Sequence, residues 1–212
     1  MRAMRNAGAA VIVVIWLCAL SHATAQTVGN SSFETPSLPA NSFSYGPSGG
    51  TWTFTANAGI INAPGGGFVG PSAPDGSQYA FLQSANNPGA LSQSITFSLA
   101  GTYQLSYLVA ARSDNGLGAA GNLSYQVLLD STVIGKDATV SGQPFTSRSF
   151  NFVASSGSHT LSFEPIANAA DNTAFLDVVA IQPVPEPAAG GLLLSSLSAF
   201  LVVRALRRER NQ

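Results

Sequence analysis

The sequence predicts an all-β protein, an antiparallel β-sandwich with an apolar segment at each end of the chain. Three observations carry that expectation. Apolar and polar residues alternate with a period of two through the middle of the chain, as they do where one face of a strand is buried. Gly, Pro, Asn and Ser punctuate the alternation at short intervals. No stretch of that middle region carries the 3.6-residue apolar period of an amphipathic helix.

The chain opens with a secretory signal. Arg2 and Arg5 form a basic start, Ala9 to Leu20 an apolar run, and Ala23-Thr24-Ala25 a small-residue cleavage site, so residues 1–25 are expected to be removed by signal peptidase. The alternative, a retained N-terminal anchor, is disfavoured because the apolar run is short for a span. Cys18 is the only cysteine and lies inside this segment. It is preceded by Leu17 rather than the small residue that a lipoprotein signal needs. The exported chain therefore holds no cysteine, and its stability has to come from a packed core.

Residues 26–183 form the predicted sandwich. Trp52 and Phe54 alternate with threonines, and Tyr79 and Phe81 alternate in QYAFLQ. Leu91, Ile95 and Phe97 keep the same beat, followed by Tyr103, Leu105, Tyr107 and Val109. It returns in Leu123, Tyr125, Val127 and Leu129, in Phe150 and Phe152, and in Leu161 and Phe163. The last run, TAFLDVVAI, is apolar on both parities, as a strand buried on two faces would be. Eight or nine short strands are expected, with the Gly-rich stretch Pro64 to Gly76 read as a long exposed loop. Between Gln26 and Pro183 three cations (Arg112, Lys136, Arg148) stand against eight acids, a balance of −5. Phosphate backbones require a basic stripe, so nucleic acid is not an expected partner.

The tail, 184–212, joins Val184-Pro185-Glu186-Pro187 to an apolar run and an Arg-rich end. A helix over Ala188–Val203 would be about 24 Å long, and Arg204 can snorkel while Ala205 and Leu206 extend it toward the roughly 30 Å of a hydrocarbon core. A transmembrane helix is thus expected over about 188–206, with Arg207, Arg208 and Arg210 on the cytoplasmic side. This combination resembles the PEP-CTERM sorting signal of Gram-negative bacteria. The resemblance implies that an exosortase, a membrane protease, cleaves near Val184, Pro185, Glu186 and Pro187. The domain would be held at the inner membrane on the periplasmic side, then passed to the cell surface or secreted. Two prolines keep the motif extended, the shape a protease cleft accepts.

A second resemblance covers most of 29–181. Gly29-Asn30-Ser31-Ser32-Phe33-Glu34-Thr35-Pro36 is similar to the opening of galactose-binding-like jelly rolls. Trp52, Pro74 to Ala80, Leu91 to Ile95, Gly101-Thr102-Tyr103 and Phe175 to Val179 resemble elements that follow it in order. The resemblance implies a jelly-roll sandwich and a structural Ca²⁺ held by Glu34 and Asp177, since calcium takes six to eight oxygen ligands. Asp171 and Asn168 could add oxygens.

For recognition of a carbohydrate, aromatic side chains outside the alternation stand out. Phe43, Tyr45 and Phe68 lie in Gly-, Ser- and Pro-rich stretches, and Arg112, Asp114 and Asn115 follow the Tyr103–Val109 strand. Tyr45, Phe68, Arg112 and Asp114 are the candidate ligand-binding residues. Hydrolysis is not expected: His159 is the only histidine after residue 25, and its place in SHTLSF suits a strand face better than a general base. The sequence reading is an exported, non-catalytic envelope or matrix protein associated with exopolysaccharide. A lectin-like carbohydrate-binding module is the alternative, and a secreted hydrolase a more distant one.

Overall fold

The computed structural model describes residues 24–62, 68–85, 87–113, 121–166 and 170–185. Residues 1–23 of the signal segment, the span at 188–206, the arginines after it, Glu186, Pro187, Asn168, Asp114 and Asn115 lie outside them. Among the described residues no helix is long and apolar enough to cross a membrane.

Among the described residues eleven strands form, more than the eight or nine expected, because short edge strands precede the long ones. They are β1 (Phe43–Tyr45), β2 (Thr53–Phe54), β3 (Ala58–Asn62), β4 (Gln78–Gln83), β5 (Leu91–Phe97) and β6 (Gly101–Ala111). After these come β7 (Ser124–Leu129), β8 (Thr132–Ala138), β9 (Thr146–Ala154), β10 (Gly157–Pro165) and β11 (Thr173–Pro183). They make two sheets, six strands in the order β1-β3-β4-β11-β6-β9 and five in the order β2-β5-β10-β7-β8. Every pairing is antiparallel. The expected antiparallel sandwich is what the chain builds.

Alternation decides which residues meet between the sheets. Tyr103, Leu105, Tyr107 and Val109 of β6 face Tyr125, Val127 and Leu129 of β7 and Leu161 and Phe163 of β10 in one continuous core. Phe33 and Trp52 close its edge with ring centroids 5.2 Å apart. In this core the Tyr103 hydroxyl donates to the Leu99 carbonyl at 2.7 Å, and the hydroxyls of Tyr107 and Tyr125 satisfy each other across the sheets at 2.8 Å. Tyr125 also donates to Asp137, whose carboxylate is ion-paired with Arg148. Burial pushes both phenols well above their ordinary pKa, so they remain neutral donors.

The six-stranded sheet is buried on both faces along part of its length. Ala80 and Leu82 of β4 and Ala174 and Leu176 of β11 point into the main core. Tyr79, Phe81 and Phe175, on the opposite parity, join Ile61, Ala110 and Phe68 in a second cluster outside it. This is why QYAFLQ and TAFLDVVAI are apolar on both parities. A bulge then shifts the register of β11 between Asp177 and Ala180. Three residues of β11 oppose two of β6, so Val179 and Ile181 continue the inward face that Ala174 and Leu176 began. Val178 takes φ +52° at the bulge, and Asp177 is left fully buried.

Candidate functional site

The outer cluster is the part of the molecule built for something other than packing the sheets together. Its register can be read across five strands. Tyr45 of β1 pairs with Gly59 of β3, which pairs with Phe81 of β4. Phe81 pairs with Phe175 of β11, and Phe175 with Ala110 of β6. Gly59 is the gap in this row. A Cβ there would strike the carbonyl of Ser44 and come within 2.8 Å of the Phe81 ring, so glycine lets the Tyr45 and Phe81 rings meet edge to face at 5.1 Å. Phe43 stands two residues from Tyr45 on the same side of its strand, and Phe68 lies over Phe81 with centroids 4.9 Å apart. Phe43 and Phe68 meet edge to face at 5.2 Å.

These three rings do not sit as the sequence suggested. Phe68 is 6% exposed, the floor of the cluster rather than an exposed loop aromatic. Phe43 and Tyr45 belong to an edge strand and are 42% and 45% exposed. A short edge strand with no partner on its far side leaves these rings uncovered.

A chain of polar groups borders the rings. The Tyr45 hydroxyl donates to Gln83 Oε1 at 2.6 Å, and Gln83 Nε2 donates to Asp171 Oδ1 at 2.9 Å and to Thr173 Oγ1 at 3.2 Å. Asp171 Oδ2 pairs with Arg112 Nη1 at 3.3 Å. The Arg112 guanidinium stacks over Phe68, 4.9 Å from its centroid, and its buried Nε has no hydrogen-bond partner. Partial burial raises the Tyr45 pKa, with the Asp171 charge adding to it, so the phenol keeps its proton. Tyr45, Phe68 and Arg112 are thus brought together, while Asp114 lies outside the described residues. Sequence reasoning missed Gln83 and Thr173, which pair directly across β4 and β11, and it named Asp171 only as a further oxygen that calcium could use. Asp171 instead bonds Arg112 and Gln83. The two-sided apolar pattern of QYAFLQ was the available signal.

The proposed calcium pair lies elsewhere, beside the β11 bulge. Glu34 accepts from the amides of Ser77 and Gln78 at 2.9 and 2.8 Å and from the Ser77 hydroxyl at 3.2 Å. Asp177 accepts from the amides of Val178 at 2.8 Å and Asp75 at 3.3 Å. Asp75 in turn accepts from Ser32 at 2.6 Å. Burial pushes the Asp177 carboxyl up to about 7, and the charges of Asp75 and Glu34 add to the rise. Oxygen donors of this kind suit a hard cation. Asp177 is the residue that fits one, because two amides are a thin coordination for a buried carboxylate. Glu34 fits less well, since both its oxygens already brace the turn at Ser77. Among the described residues no three His, Cys, Asp or Glu side chains converge closely enough to hold a metal, so backbone carbonyls would have to supply most of the ligands.

With this geometry in place, comparison with known proteins becomes informative. The family model HpiC1-like, described as HpiC1 cyclase, matches residues 24–166. The chain belongs to the HpiC1-like family. The match includes Tyr45, Gly59, Phe81, Gln83 and Arg112, and stops before Asp171 and β11. No curated protein matched the sequence. Among solved structures, the chain is similar to TmCBM61 in complex with β-1,4-galactotriose (TM-score 0.49, 14% identity, 73% of this chain and 96% of that one). It is also similar to a family 35 carbohydrate-binding module from Clostridium thermocellum (TM-score 0.44, 14% identity, 63% and 92%). A third is the K3 cleaved adhesin domain of Lys-gingipain from Porphyromonas gingivalis W83 (TM-score 0.46, 16% identity, 74% and 98%). Similarity at this level does not extend to function. Because the family is named for a cyclase, the expectation of a non-catalytic protein is not carried forward.

Proposed function

We propose that this is an exported binding domain whose ligand, a carbohydrate, lies against Phe43 and Tyr45 and is read by Gln83, Asp171 and Arg112. The observation that supports it is the pairing of two exposed aromatic rings with a contiguous polar chain. Sugars present C–H faces that stack on aromatic rings and hydroxyls that need charged or amide partners, and few other arrangements serve both. Glycan-array screening of the exported protein, followed by titration calorimetry, tests it. The expected result is binding that weakens at least about tenfold in Tyr45→Ala, the loss of one stacking and hydrogen-bonding anchor. Sugar binding unchanged in Tyr45→Ala and Phe43→Ala would reject the site.

The family name supports a second reading for the same place. Rings that line a partly enclosed face, with a carboxylate beside them, can fold an apolar small molecule for cyclisation. Under that reading the face takes a hydrophobic dye in preference to any sugar, and Asp171→Asn removes turnover while leaving dye binding intact.

Sorting through the C-terminal motif remains part of the proposal. β11 ends at Pro183, and the Val184 amide still donates to Thr102 at 2.9 Å. The last strand thus ends where the motif begins. Antiparallel pairing sets Pro183 opposite Tyr103 and Ala174 opposite Ala111, so the chain leaves the sandwich at the end opposite Arg112 and Asp171. Along the eleven-residue strand β6 these ends are about 33 Å apart. A domain tethered at Val184 would present its binding end away from the membrane. Intact mass of the protein from membranes and from medium tests the sorting: a species ending near Val184 to Pro187 is expected, and a full-length C-terminus in both fractions would overturn it.

A further inference from the structure

We propose that Ser155, His159 and Asp130 form a second site, a serine nucleophile with its base and orienting acid, that accepts short acyl esters. The three lie at the exit end of the sandwich, remote from the aromatic face, and owe their meeting to two turns. Ser155 begins the turn between β9 and β10, and His159 is four residues further on in β10. Asp130 sits between β7 and β8 at φ +55°. Pairing of β10 with β7, Leu161 against Leu129, brings the turns together.

The geometry assigns each role. The Asp130 amide donates to Thr160 O at 2.7 Å, and the Thr160 amide returns a bond to Asp130 Oδ1 at 2.9 Å. One carboxylate oxygen is thereby fixed and the other aimed at His159 Nδ1, 2.7 Å away. The Thr160 amide first, and His159 second, hold the Asp130 carboxyl below its ordinary range, so it is ionised at neutral pH. An ionised acceptor at Nδ1 requires the proton there. In the neutral ring Nε2 then carries the lone pair, and Ser155 Oγ lies 3.1 Å from it, within reach for general-base catalysis. The imidazole is held at its edge by Phe97, with centroids 5.6 Å apart. Nε2 is also 3.1 Å from the Ser155 carbonyl oxygen. That contact helps only after Nε2 has taken up a proton, when the carbonyl becomes an acceptor for the new N–H.

The substrate class follows from the surroundings. Ser155 is exposed, and a side chain built at the neighbouring Gly157 would meet nothing within 4 Å, so the space beside the site is open. Small acyl groups carried as esters on a larger, mobile molecule suit such a place, and long acyl chains do not. Ser155 Oγ attacks the ester carbonyl while its proton passes to Nε2. The carbon–alkoxide bond breaks, and the alcohol leaves with that proton. Water then attacks the acyl-serine, its proton going to Nε2 and back to Ser155 as the carboxylic acid departs.

A fluorophosphonate probe on the exported protein, read by intact mass and peptide mapping, tests the assignment. One adduct at Ser155 is expected, absent in Ser155→Ala and formed at least about a hundredfold more slowly in His159→Gln, the usual scale of general-base assistance. Asp130→Asn should slow it as well, with melting curves reporting whether each variant is folded. An initial burst of p-nitrophenol from p-nitrophenyl acetate, stoichiometric with protein, is the second readout. Absence of a Ser155 adduct in the folded wild-type protein overturns the proposal. So does labelling whose rate is the same in folded His159→Gln, which would leave the trio as a brace between two turns.

Discussion

The six-stranded sheet has two buried faces, and they are made differently. The inner face mixes aliphatic and aromatic side chains, and its tyrosine hydroxyls are closed off, Tyr107 and Tyr125 against each other and Asp137, Tyr103 against the Leu99 carbonyl. The outer face is almost wholly aromatic, ends in two uncovered rings, and is bordered by Gln83, Asp171, Thr173 and Arg112. The inner face spends all its polar capacity on itself, as a core must. On the outer face a guanidinium is buried with one donor unmatched, and a carboxylate and a phenol remain within reach of solvent. One sheet therefore carries a closed core on one side and an open, partly polar aromatic face on the other.

Four substitutions test that division, in order of expected effect on melting. Phe163→Ala removes a fully buried ring that touches Trp52 and Tyr107, and should cost about 3–5 kcal/mol by denaturant titration. Gly59→Ala, on the outer row, should cost about 1–3 kcal/mol by overpacking, because the neighbours it meets include backbone. It should also weaken ligand binding by forcing Tyr45 and Phe81 apart. If it lowers stability and leaves binding untouched, the row is a packing device only. Asp177→Asn replaces a buried carboxyl, whose ionisation burial already opposes, with a neutral isostere. In chelator it should melt at or above the wild-type temperature, and it should lose any rise that calcium gives the wild type. A wild-type protein whose melting is indifferent to calcium would end the calcium proposal. Tyr45→Ala should change stability least, within about 1 kcal/mol for a half-exposed ring, while having the largest effect on affinity. Loss of stability on the scale of Phe163→Ala would place Tyr45 with the core after all.

Legibility in the sequence followed the same division. The inner face could be read strand by strand, since Tyr103 to Val109 or Tyr125 to Leu129 need only a water side and a protein side to produce alternation. The outer face could be suspected but not assembled. QYAFLQ and TAFLDVVAI announced two-sided burial without saying what lay on the second side. Phe68 was taken for an exposed loop residue because its glycine- and proline-rich neighbours are those of a loop. The Phe81 ring beneath it comes from a strand whose pairing the local sequence does not state. Asp171 was read only as an oxygen that calcium could use, for want of any sign that Arg112 and Gln83 would reach it. His159 was read as covering a strand face, when its partners Asp130 and Ser155 come from two separate turns.

By itself the sequence determined the two sheet-forming periodicities, the turn positions, the apolar ends of the chain and the absence of thiol chemistry after residue 25. These depend on residue type and spacing along the chain, which local sterics and solvent exposure convert directly into strands and turns. Only the tertiary structure decided that Tyr45 meets Phe81 across a glycine, that Arg112 stacks on Phe68 and pairs with Asp171, and that Ser155, His159 and Asp130 share one corner. Each of those depends on register between strands distant in sequence. Register is set by how the whole set of side chains packs at once, which no single segment encodes.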